Sequence, residues 1–111
     1  MLDETTFRRH ADQAIESLKR ALIDAEEGGD FEVEEQGGVL NIVFEEPPAK
    51  FVITPNAPVR QIWISALSTS FKLEWSEEAS AFILPKDSTQ LKPLVARLIN
   101  QQLGDGDVTL D

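Results

Sequence analysis

Cysteine is missing from all 111 residues, which excludes disulfides, thiolate metal sites and thiol chemistry. Histidine occurs once, at His10, so no cluster of imidazoles is available to build a tight transition-metal site. Basic residues are scarce, ten Lys and Arg against twenty Asp and Glu, for a formal charge of −10. Such a chain repels nucleic acid and anionic membrane surfaces, and neither is an expected partner. No run approaches eighteen apolar residues, and the start MLDETTF has no basic segment leading into an apolar one. The expectation is a cytoplasmic protein. There is no internal repeat, no low-complexity linker, no Ser/His/Asp set, no phosphate-binding glycine loop and no clear acid–base pair. Nothing in the residue types points to catalysis.

What is present is a periodic pattern of apolar residues, 41% of the chain with six Phe and two Trp. The length suits one domain, 1–111, with a single core. Asp3 is placed to cap a helix, and Phe7, Ala11, Ala14, Ile15, Leu18, Leu22 and Ala25 form one stripe of it to about Glu27. Asp12, Glu16 and Arg20 take the opposite face, Ile23 is out of pattern, and Gly28-Gly29 end the helix. From Asp30 the period changes to two. Phe31 and Val33 alternate with Glu32 and Glu34, and Gly37-Gly38 supply a tight hairpin turn. The next strand, Val39 to Glu45, points Leu40, Ile42 and Phe44 inward and Asn41 and Val43 outward.

Pro47-Pro48 interrupt the sheet before a third strand, Lys50 to Thr54, and Pro55 to Pro58 make a turn. In a fourth strand, Val59 to Ser65, an inward Ile62 and Ile64 leave Gln61, Trp63 and Ser65 on the other face. Phe71 to Trp75 and Ala81 to Leu84 read as two further strands. Ser88 is the expected cap of a second helix with a stripe of Leu91, Leu94, Val95, Leu98 and Ile99, ending at Gly104. Hairpin-length connections require an antiparallel sheet, and two one-sided helices cover only one of its faces. The expected fold class is α+β, a two-layer sandwich of two helices on a roughly six-stranded antiparallel sheet.

Between Asp24 and Glu35 stand seven carboxylates, Asp24, Glu26, Glu27, Asp30, Glu32, Glu34 and Glu35, without one Lys or Arg. Unpaired like charges repel, so a metal ion or a basic protein surface is called for. Carboxylate oxygens are hard ligands suited to iron, manganese or calcium, but the spacing is not that of a calcium loop. By residue type alone, a charge run is more often a solvated face than a site. Trp63 carries a similar tension, because a Trp in a strand is usually core, whereas the alternation turns this one outward.

The order of elements, together with Ala11-Asp12-Gln13, Gly37-Gly38-Val39-Leu40, Gln61-Ile62-Trp63-Ile64-Ser65, Glu74-Trp75 and Gln101-Gln102, resembles the frataxin family and its bacterial CyaY-type members. The resemblance implies a protein that binds iron weakly and docks on the cysteine desulfurase and scaffold of iron–sulfur cluster assembly, a monomer without iron. It implies Asp24, Glu26, Glu27, Asp30, Glu32 and Glu34 as the iron-binding ridge. It also implies Gln61 and Trp63 at the partner surface, where the outward Asn41 joins them. The chain departs from the family pattern at Lys19, Arg20, Ile23 and Gly28, where acids are frequent, and at Thr54. An acidic interaction module without a physiological metal, and a ferroxidase or iron-storage protein, are the alternative readings.

Overall fold

The computed structural model describes residues 3–27, 31–45, 48–104 and 108–110. Helix α1 spans Glu4–Glu26. Six strands follow, β1 (Glu32–Gln36), β2 (Val39–Glu45), β3 (Pro48–Asn56), β4 (Gln61–Ala66), β5 (Thr69–Ser76) and β6 (Ala81–Ile83). Helix α2, Leu91–Leu103, closes the order. The strands pair antiparallel with their sequence neighbours in the order β1-β2-β3-β4-β5-β6, so every connection is a hairpin. The fold is an α+β sandwich with both helices on one face of the sheet.

Asp3 starts α1 by accepting the Thr6 N–H on its carboxylate at 2.7 Å. That bond holds the Asp3 carboxyl below its ordinary value of 3.8. The stripe then does its work, with Phe7, Ala11, Ile15, Leu18 and Leu22 all buried. They pack on Leu40, Ile42, Phe44, Phe51, Ile53, Ile62, Ile64, Leu73 and Phe82 from the sheet, and Leu94, Val95, Leu98 and Ile99 of α2 complete the core. The tail rejoins it through Leu110, and Asn100 clasps Val108 by donating to its carbonyl and accepting its N–H.

Several boundaries differ from expectation, each for a local reason. Strand β3 is longer at both ends and contains Pro48 and Pro55. Pro48 opens the strand opposite Glu45, and Pro55 lies beyond Ile53, the last residue of β3 to pair with β2. Neither missing N–H costs a bond inside the ladder. Val59 belongs to a 3-10 turn, Ala57–Val59, and β4 starts two residues later, after Arg60 adopts a left-handed conformation (φ 56°). Strand β5 gains Thr69 and Ser70 because Leu67 and Ser68 form a two-residue turn with φ of 53° and 60°. Strand β6 stops before Leu84.

Ser88 is not the cap of α2. It sits at φ 60° in a turn closed by its N–H on the Leu84 carbonyl, while Asp87 accepts the N–H and hydroxyl of Thr89. The helix begins after Gln90, which places Pro93 inside its first turn, where no N–H is required. The Gly37-Gly38 turn has the expected positive φ values, 61° and 85°. The helix stop expected at Gly28-Gly29, the carboxylate of Asp30 and the Pro47 position lie outside the described residues.

Leu22 and Ile23 are sequence neighbours at 0% and 44% exposure. Leu22→Ala should cost about 2–5 kcal/mol in urea unfolding and Ile23→Ala less than about 0.5 kcal/mol; similar costs would contradict the facing of α1. The Asp3 cap adds stability above the ordinary carboxyl range that is lost as pH falls through its lowered pKa. Asp3→Asn, which keeps a capping oxygen but no titrating charge, should flatten this acid limb of the stability–pH curve while leaving neutral stability nearly unchanged.

Candidate functional site: an acidic sheet edge and an open sheet face

Alternation in the edge strand β1 divides its acids between two sides. Val33 pairs with Ile42 and Glu35 with Leu40, so these two share the face covered by the helices. Glu32 and Glu34, paired with Val43 and Asn41, project from the open face. The acids of the α1 end belong to the other layer, where Asp24 and Glu27 are exposed and Glu26 is half-buried. The expected ridge residues therefore wrap around the β1 edge and do not converge on one point. Among the described residues, no group of three or more His, Asp or Glu side chains is arranged to hold a metal ion.

Among the described residues, two of these carboxylates have structural partners, Glu26 and Glu35. Glu26 accepts the Val33 N–H at 2.6 Å, tying the end of α1 to the sheet edge. Because neighbouring antiparallel residues alternate in the direction of their N–H groups, this amide points away from β2 and would otherwise lack a partner. Glu35 accepts from the Lys19 ammonium at 2.8 Å. The hydrogen bond to Glu35 is the main cause of a Lys19 pKa above the ordinary 10.5, so its contribution to stability is full at neutral pH and is lost only as pH climbs through the raised value. Lys19, where the sequence resemblance led to the expectation of an acid, thus neutralises the inward acid of β1. Sequence reading missed the pair, because its members lie sixteen residues apart on different elements.

The open face is centred on Trp63. It stands opposite Thr54 on β3 and Lys72 on β5. The Lys72 ammonium lies 4.9 Å from the centre of the indole ring, a cation–π contact. The indole N–H donates to the Gln61 side-chain oxygen at 2.8 Å, and the Gln61 amide nitrogen donates to Glu74 at 3.0 Å. Asn41 is half-buried on the same face two strands away, opposite Val52. Lys72 and Glu74 were absent from the expected surface, although the alternation of β5 about the inward Leu73 already gave them its outward side.

His10 lies elsewhere, on α1, stacked on Trp75 with ring centres 3.9 Å apart and planes 12° apart. Phe82 meets the same indole edge-on at 5.3 Å. A shallow cleft of about 340 Å³ opens beside them, lined by Gln13, Ser17, Gln90 and Lys92 among others. His10 is a packing residue here, and Trp75 faces the helices rather than the open side.

Fold and surfaces together define a two-layer α+β protein with one acidic edge and one uncovered, Trp-centred sheet face. The frataxin-like domain family model matches residues 1–105, and the chain belongs to that family. Among its relatives, an iron-sulfur cluster assembly protein CyaY of Pseudomonas fluorescens is 29% identical over 103 residues, covering 93% of this chain and 91% of that protein. A protein of the same name from Azotobacter vinelandii is 28% identical over 95 residues, covering 84% and 86%. The solved structure of frataxin from Psychromonas ingrahamii superposes with a TM-score of 0.79 at 20% identity, over 99% of this chain and 97% of that one.

The bond from Val33 makes Glu26 different from its exposed neighbour Glu27. Glu26→Ala should destabilise the protein by about 1–3 kcal/mol and speed exchange of the Val33 amide, with Glu27→Ala near neutral. Equal effects of the two substitutions would remove Glu26 from this role.

Proposed function

We propose that this protein serves iron–sulfur cluster assembly as a non-catalytic member of the machinery. In this reading it docks on the cysteine desulfurase and scaffold, and carries iron weakly as cargo rather than as a resident cofactor. The observation that carries the reading is the family match over residues 1–105, with relatives named for that process. Its physical basis is the pair of surfaces. Asp24, Glu27, Glu32 and Glu34 make no ion pair among the described residues and leave a field of negative charge along the β1 edge. Such a field speeds encounter with a basic protein surface and selects against acidic ones.

Hard carboxylate oxygens suit Fe²⁺, held through one oxygen each with water completing the shell. Glu26 and Asp30 complete the proposed ridge. Asn41, Gln61 and Trp63 provide the specific contacts of docking, since a half-buried aromatic on an uncovered sheet face offers ring surface of the kind that anchors interfaces. The cytoplasm is the proposed location, and a monomer the proposed state without iron.

A second reading, an acidic docking module with no physiological metal, is favoured by one feature. Glu26 and Glu35 are already engaged by Val33 and Lys19. Two experiments separate the readings. An anaerobic Fe²⁺ titration of ¹⁵N-labelled protein should broaden the amides of Asp24, Glu27, Glu32 and Glu34 selectively; no change at millimolar iron leaves the docking module. Reversing Glu27, Glu32 and Glu34 to Lys should slow association with the desulfurase about tenfold or more at low salt. Association that ignores these three reversals would sink docking through this edge.

A further inference from the structure

Two adjacent cross-strand pairs on the open face, Gln61 with Glu74 and Trp63 with Lys72, are joined side to side by the Trp63–Gln61 bond. We infer that Glu74 is a positioning residue, which fixes the Gln61 amide and through it holds the Trp63 indole in one orientation before any partner arrives. The inference deepens the docking role proposed above and rests on that reading for its partner.

The chemistry of the three groups leaves one arrangement. An ionised carboxylate only accepts hydrogen bonds, and an indole N–H only donates. Gln61, standing between them, must therefore turn its NH₂ to Glu74 and its carbonyl oxygen to Trp63. The observed bonds of 3.0 Å and 2.8 Å have this polarity. Without Glu74 the amide loses the charged acceptor that decides which way it points, and the Trp63 bond loses its fixed acceptor. Lys72 holds the ring from its face while Gln61 holds it from its edge.

The value of the relay lies in what it removes. A large side chain on an exposed sheet face must be ordered when a partner binds, at a cost in rotamer freedom that a pre-held ring has already met. The relay also decides what Trp63 offers. Its one polar atom is spent on Gln61, so the partner receives ring surface, not a hydrogen-bond donor. The complementary patch is accordingly apolar where it meets the indole.

The test compares Glu74→Ala and Glu74→Gln, reading the Trp63 indole N–H by NMR and the affinity for the desulfurase–scaffold complex. The Trp75 indole in the same spectra serves as the internal control. Glu74→Ala should speed Trp63 indole exchange and weaken the complex, each by about threefold to tenfold, the scale of one such hydrogen bond. Glu74→Gln, which keeps an acceptor oxygen but is uncharged and also carries a donor, should restore both only in part. An indole signal unchanged in Glu74→Ala overturns the positioning role; if affinity nonetheless falls, Glu74 is a direct partner contact. Trp63→Ala separates positioning by Glu74 from docking by Trp63. If it leaves the affinity intact, docking through the Trp63 face fails, while the indole measurement still decides whether Glu74 positions Trp63.

Discussion

The period of two along a pleated strand, tied to a register that cannot slip, governs everything on this molecule's surface. Leu40, Ile42 and Phe44 of β2 are buried, and so are Ile53 and Phe51 of β3, which stand opposite Leu40 and Ile42. Sliding one strand by a single residue would send its apolar set into water, at roughly 1.5–3 kcal/mol for each large side chain. Packing beneath the helices thereby sets the positions above. Because Ile62 and Leu73 meet in the core, Gln61 meets Glu74 on one side of them and Trp63 meets Lys72 on the other. The open face is the shadow of the core.

Charge follows the same logic at the sheet edge. A terminal strand exposes unpaired backbone groups that invite unwanted pairing, and charged side chains are a common guard. Here β1 carries Glu32, Glu34 and Glu35 on a five-residue strand, and Glu26 reaches over from α1 to occupy the Val33 amide. The acids thus divide their labour. Glu26 and Glu35 tether helix to strand, while Asp24, Glu27, Glu32 and Glu34 remain for solvent or a partner. An acidic ridge read from sequence as one feature is two features with different consequences for stability and for binding.

Much of this was legible in the chain itself. The 3.6-residue stripe of α1, the alternation of β2 and β4 and the glycine turn at Gly37-Gly38 each obey a local rule, so their residues announce them without tertiary information. Trp63 could be turned outward because facing it inward would have expelled two isoleucines. Boundaries were less legible where a rule has exceptions that depend on neighbours. Pro48 and Pro55 fit inside β3 only because the ladder has no bond to lose there, and Ser88 resembles a helix cap until the Leu84 turn claims its N–H.

What the sequence determined by itself is the set of amphipathic elements, the two-layer class and the excess of acid near the first hairpin, because periodicity and charge are local properties. The meeting of distant residues was decided only by the tertiary structure: Lys19 with Glu35, Glu26 with Val33, and Glu74 with Gln61. The physical reason is that a hydrogen bond or ion pair acts over a few ångströms and carries no mark in the chain of which partner the fold will bring near. Register supplies that partner, and register exists only once the core has closed.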